Sequence, residues 1–135
     1  MSVDPFQLLL EELSVVLNIP LQIDKNGGCT IKINNDLQFQ LKPDPTNGKL
    51  AIVSNLGLVP PGRYRIEVLK EALKDNYEIY SQGKLSFSEG AKCLVLYETF
   101  PIRYINGAIL GDFAKKFASK ALAWKKAIDS GKSHP

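Results

Sequence analysis

Apolar and polar positions follow two rhythms along the chain, and each change of rhythm marks a new element. From Asp4-Pro5 to Asn18 the rhythm is helical: Phe6, Leu9, Leu10, Leu13, Val16 and Leu17 fall within an arc of about 120°, a core-facing stripe. Asp4 suits the N-cap, Pro5 the first helical position, and Glu11 and Glu12 follow in the early turns. Leu8 and Val15, seven positions apart, land together on the opposite, polar face. They are either scattered exposed apolars, which are common, or the contacts of a partner.

The rhythm then shortens to a period of two. Leu21 and Ile23 alternate with Gln22 and Asp24; Cys29, Ile31 and Ile33 with Thr30, Lys32 and Asn34; Leu37, Phe39 and Leu41 with Gln38, Gln40 and Lys42. Lys25-Asn26-Gly27-Gly28 and Asn35-Asp36 read as tight turns, and Asp44-Pro45-Thr46-Asn47-Gly48 as a longer loop before a strand over Leu50–Val53. The result is an antiparallel meander with one polar face. Leu56-Gly57-Leu58-Val59-Pro60-Pro61-Gly62 breaks the sheet and leads into a helix over Arg63–Asn76, with Ile66, Leu69 and Leu73 as apolar positions alongside Val68 and Ala72. Lys84–Ser88 and Lys92–Glu98 form a hairpin whose second strand, apolar at consecutive positions, is covered on both faces. A last helix over Ala108–Ser130 aligns Ile109, Phe113, Phe117, Ala121, Trp124 and Ile128. The order α-β-β-β-β-α-β-β-α predicts a single α+β domain, an antiparallel twisted sheet with three helices, ending in a flexible tail over residues 130–135.

Composition changes this picture little. At 135 residues and 44% apolar the chain is long enough to build a core without disulfide or metal. The apolar runs are too short for a membrane span, and the N-terminus lacks a secretory signal, so a cytoplasmic location is expected. Charge is more informative. The sum is only +3, but residues 112–135 hold Lys115, Lys116, Lys120, Lys125, Lys126 and Lys132 against Asp112 and Asp129, while the preceding body is near neutral. That leaves open a second reading, a small basic domain that binds nucleic acid, an acidic protein or a lipid surface through its C-terminal helix. Arginine, the usual base reader, is missing from that helix, so no nucleic acid is expected.

Catalytic chemistry is not expected. Cys29 and Cys93 lie in strand-like segments and read as core residues, and His134 is next to last, so neither a metal site nor a Cys–His pair is assembled. Gly107 with Gly111 lacks the spacing and the preceding strand of a phosphate loop. Glu11 and Glu12 diverge by about 100° on a helix, cannot converge on one atom, and are expected on a solvated face. No catalytic residue, cofactor or metal ligand is assigned.

Element order and landmarks carry a resemblance. The N-terminal helix with Leu9, Leu10 and Leu13 is followed by Leu21-Gln22-Ile23-Asp24 and by Gly28-Cys29-Thr30-Ile31-Lys32-Ile33. Next come Leu50-Ala51-Ile52-Val53, Leu69-Lys70-Glu71-Ala72-Leu73, Gly83-Lys84-Leu85-Ser86-Phe87, and Leu94-Val95-Leu96 with Phe100-Pro101-Ile102. A helix carrying Phe113, Phe117 and Trp124 closes the series. In this the chain resembles the class I chaperones of bacterial type III secretion systems, the CesT/SycE type. The resemblance implies a non-enzymatic bacterial cytoplasmic protein, paired with itself or with a related chaperone, that holds the N-terminal segment of a secreted effector extended and export-competent. An extended peptide of this kind adds to a sheet edge and seats side chains in apolar grooves. The resemblance places the dimer interface on Ile66, Leu69, Leu73, Leu85 and Phe87. It places effector contacts on the first helix and the meander, at Leu8, Val15, Ile31, Phe39 and Leu41, with plain core as the alternative for the three strand residues. One departure stands out: such chaperones are typically acidic, whereas this chain has a pI of about 8.8.

Overall fold

The computed structural model describes residues 4–33, 36–79 and 82–135. The first helix, α1 (Pro5–Leu17), begins as its sequence dictates: Asp4 accepts the Phe6 N–H at 3.2 Å and Pro5 opens the helix. Asn18 ends it in the left-handed conformation, with φ 55°. Strands β1 (Cys29–Ile33), β2 (Leu37–Asp44) and β3 (Lys49–Leu58) form the meander, and α2 spans Arg63–Asn76. Strands β4 (Lys84–Ser88) and β5 (Cys93–Pro101) form the hairpin, and a 3-10 turn over Ile102–Tyr104 leads into α3 (Gly107–Asp129). The sheet is antiparallel throughout, in the order β1-β2-β3-β5-β4.

The alternation along each strand divides the sheet into two faces. Ile31, Phe39, Leu41, Leu50, Ile52, Leu56, Leu94 and Leu96 point inward and are essentially inaccessible. They meet Phe6, Leu9, Leu10 and Leu13 of α1 and Leu110, Phe117, Ala121 and Trp124 of α3 in one core. Phe117 anchors it, edge-on to Phe39 with ring centroids 5.8 Å apart. Val68 and Ala72 bring α2 onto the same side, at the β4 margin.

Two glycines explain how α1 and α3 come so close. A Cβ on Gly107 would lie 2.7 Å from the Glu12 carbonyl carbon and 2.9 Å from the Leu13 nitrogen; one on Gly111 would collide with the Val16 side chain. The four-residue spacing puts both glycines on one face of α3, so the pair is a packing device. Glu12, exposed as expected, also accepts the Gly107 N–H at 3.3 Å, placing a carboxylate at the positive end of α3.

Several expectations need correction. Leu21–Asp24 is not a strand, so three strands rather than four precede α2. The segment lies beside α1, and Asp24 N–H donates locally, to Gly28 O at 2.8 Å. Alternation reports which side of a segment is covered; a ladder additionally needs a neighbouring strand. Leu56–Leu58 does not break the sheet. A bulge between Asn55 and Gly57, with Gly57 at φ 124°, carries β3 on to Leu58. On α3 the core takes Leu110 and leaves Ile109 half-exposed. The expected Asn35-Asp36 turn includes a position outside the described residues. The C-terminal residues lie against α2: Tyr64 Oη donates to Lys132 O at 2.8 Å, and His134 and Pro135 lie beside Glu71 and Glu78.

Candidate protein-binding surfaces

The core accounts for one side of each helix, and what remains apolar on the other sides defines the candidate surfaces. On α2, Val68 and Ala72 face inward and Leu69 is half-buried. Ile66 and Leu73, 57% and 69% exposed, lie seven positions apart on the outward side, and Tyr77 and Ile79 continue the ridge beyond the helix. The sequence reading names Ile66 and Leu73 but not Tyr77 or Ile79. Tyr77 sits eleven positions after Ile66, a helical repeat visible in the sequence.

Leu85 and Phe87 stand differently. Leu85 is a buried inward residue of β4, and Phe87 is half-buried under the Arg65 guanidinium, 4.6 Å from the ring centroid. Arg65 is fixed there by two donations to Val59 O, at 3.0 and 2.7 Å. Neither side chain adds to the exposed ridge; both support the helix that carries it.

The free margin of β4 is closed at Leu85. Asn76 Oδ1 accepts the Leu85 N–H at 2.7 Å and Asn76 Nδ2 donates to Leu85 O at 2.8 Å, so the side-chain amide occupies both main-chain groups that a further strand would use. Strand β1, at the other margin, is paired on one side only, by β2. Replacing Asn76 with alanine strips both bonds and is expected to lower stability by about 1–2 kcal/mol in a denaturant titration. An Asn76→Ala chain as stable as the parent would mean that the lock is idle.

On α1, Leu8 and Val15 are 50% and 81% exposed and form a short apolar ridge. Ile31, Phe39 and Leu41 belong to the alternative foreseen for them. They point inward and are wholly covered by α1 and α3, so a bound peptide does not reach them without unpacking the core. The correction has a simple cause: in a sheet covered by helices on one face, the apolar half of each strand turns toward the helices.

The basic helix is partly neutralised by its own neighbours. Lys116 and Lys125 pair with Asp112 and Asp129 at 3.4 and 2.9 Å, and Lys120, mostly buried, bonds Asp75 of α2 and Gly83 O at 3.2 Å. Lys120 therefore ties α3 to α2 instead of facing solvent. Cys29 and Cys93 are free and buried. Burial pushes the Cys29 thiol above its ordinary range, which disfavours the nucleophilic thiolate. Among the described residues no helix is long and apolar enough to cross a membrane.

The same architecture recurs among solved structures. A chain of the HopA1–SchA chaperone–effector complex superimposes with a TM-score of 0.74 at 21% identity, over 93% of this chain and 100% of that one. A chain of the heterodimeric ExoU–SpcU complex from the type III secretion system of Pseudomonas aeruginosa gives 0.68 at 17% identity, over 87% and 95%. A chain of the Yersinia pestis complex between the type III secretion chaperone SycH and a YscM2 fragment gives 0.63 at 17% identity, over 84% and 94%. At these identities the likeness is one of fold. No curated protein matches the sequence. The family profile named for the Tir chaperone protein (CesT) matches residues 8–125, nearly the whole described core. The chain belongs to the Tir chaperone protein (CesT) family.

Proposed function

We propose that this protein is a cytoplasmic, dimeric type III secretion chaperone that works by binding alone, without catalysis or cofactor. Its cargo is the N-terminal segment of a secreted effector, held extended and competent for export. The observation that carries this reading is the family match along residues 8–125. The fold supports it, since the neighbouring structures include a chaperone–effector complex, a type III secretion chaperone bound to a fragment of YscM2, and a heterodimeric complex from a type III secretion system. The surfaces divide the work. The α2 ridge at Ile66 and Leu73 meets the second protomer, with Leu69, Leu85 and Phe87 backing it from beneath. The Leu8–Val15 ridge takes apolar side chains of the cargo. The margin at β1, left open while Asn76 closes β4, offers main-chain groups to an added strand.

The experiment is co-expression with the products of neighbouring genes, followed by affinity capture and light scattering. A particle containing two copies of the 15.0 kDa chain and one protein with a protease-protected N-terminal segment is the expected result. A monomer that captures no neighbour would refute the proposal. Within a captured complex, Leu8→Asp with Val15→Asp is expected to cut retained effector about tenfold or more while leaving the chaperone's melting temperature unchanged, because neither residue belongs to the core. Undiminished capture would remove α1 from the binding surface.

A further inference from the structure

All three helices lie on the inward face of the sheet, and among the described residues none packs on the outward face. The register shows what that bare face presents. One row crosses all five strands: Thr30, Gln40, Val53, Tyr97 and Lys84 are successive cross-strand partners. Lys42, Ala51 and Thr99 make the next row on the same face. On the other side of the central row, Lys32 pairs with Gln38, and Val95 pairs with Ser86. The middle strands β3 and β5 thus carry a lengthwise apolar strip of Ala51, Val53, Val95 and Tyr97 through a polar surface. Val53 and Val95 are only half-buried and Tyr97 is 39% exposed.

The charges on this face are of nearly one sign. Among the described strand residues, Lys32, Lys42, Lys49 and Lys84 rise from it against one carboxylate, Asp44, while Asp24, beside Lys42 and Gln40 at the β1–β2 end, is engaged by the Asn26 and Gly28 N–H groups at 3.0 Å. Asp44 is occupied by its own turn, accepting from Asn47 Nδ2 at 2.7 Å. The Lys84 ammonium curls over the margin to Asn76 O at 3.3 Å. That leaves Lys32, Lys42 and Lys49, all exposed, around the strip. The body of the chain is near neutral in total, so this is a segregation of charge onto one face, distinct from the lysines of α3.

We infer that the outward face of the sheet is a docking surface for an acidic, extended segment of the cargo, in which aspartate or glutamate residues flank a few aliphatic or aromatic side chains. The inference rests on the chaperone reading above and adds the chemistry of what is held. Carboxylates meet Lys32, Lys42 and Lys49, and the intervening apolar side chains cover Val53, Val95 and Tyr97. The lysines steer and select by charge, and the strip supplies burial. Cargo of this charge also suits a chaperone whose overall balance is basic.

The test uses the full chain and two labelled, strand-length peptides of alternating valine and charged residues, one carrying glutamate and the other lysine. Fluorescence anisotropy at low salt is expected to favour the glutamate peptide by about tenfold, with the preference fading as salt rises. The variant Lys32→Glu/Lys42→Glu/Lys49→Glu should reverse the preference, while Lys115→Glu/Lys126→Glu, an exposed pair on α3, should leave it intact. No preference in the parent chain, or a preference that the triple variant keeps or the α3 variant abolishes, would overturn the inference. So would a change of particle mass in the triple variant, which would mark the face as a contact between copies. Co-expression separates the two levels. An effector captured equally by parent and triple variant leaves the chaperone function standing and removes this face; no effector captured by either removes the chaperone function itself.

Discussion

Placing a methyl group on Gly107 is expected to destabilise the protein by about 3 kcal/mol. The new Cβ would fall within 3.0 Å of two main-chain atoms of α1, at Glu12 and Leu13, and main chain cannot rotate aside as a side chain can. Relief requires α1 to move off α3. That opens the core beneath Phe6, Leu9 and Leu13 and lengthens the Glu12 to Gly107 hydrogen bond. Gly111→Ala meets only side-chain atoms of Val16 and Leu13, which can yield, so a smaller loss of about 1–2 kcal/mol is expected. Gly90→Ala is the internal control, since its turn has open space around the added atom and no positive φ. Chemical denaturation of the three variants checks the order. If Gly107→Ala were as mild as Gly90→Ala, the interlock of α1 and α3 would not be what holds the Leu8–Val15 ridge in place.

The paired change Ile66→Asp/Leu73→Asp is expected to halve the particle mass from about 30 kDa to the 15.0 kDa of one chain, with the fold retained. Both side chains are more than half exposed in the single chain, so the core loses nothing. In a two-fold dimer each substitution is made twice, and a carboxylate buried against apolar surface costs several kcal/mol. Even a net loss of about 4 kcal/mol weakens self-association roughly a thousandfold. Leu69 and Leu85 are poorer probes. Leu69 is partly, and Leu85 almost fully, buried in the core, so a charge there tests the fold before it tests the interface. A double variant that remains a dimer at micromolar concentration would move the interface elsewhere.

Both experiments turn on features of unequal legibility. The bounds of α2 and β4 and the start of α1 could be read from the chain, because caps, prolines and apolar spacing act locally. The outward placement of Leu8 and Val15 was legible for the same reason: a helix has a fixed pitch, and the opposite side was already apolar. The missing strand at Leu21–Asp24 and the continuation of β3 through Leu56–Leu58 were not. One depended on whether a neighbour was there to pair, and the other on a bulge held by Asn55 accepting from the Gly57 N–H at 2.9 Å. On α2 the sequence put Ile66, Leu69 and Leu73 ahead of Val68 and Ala72. The helix turned Val68 and Ala72 inward because β4 and α3 stand on that side, and so left Ile66 and Leu73 free.

The linear chain by itself determined which segments are helical or extended, the single α+β domain, the apolar set from which the core is drawn, and membership of a chaperone family through the order of its landmarks. Those are consequences of local geometry and of pattern repeated at a fixed period. Only the tertiary structure decided that Ile31, Phe39 and Leu41 are buried in the core, that Asn76 closes one margin of the sheet, and that Lys120 is a tie between helices. It also decided that Lys32, Lys42 and Lys49 share a face with Val53, Val95 and Tyr97. Burial, edge protection and charge clustering depend on which residues distant in sequence become neighbours, and that is fixed by sheet order and helix packing rather than by any local spacing.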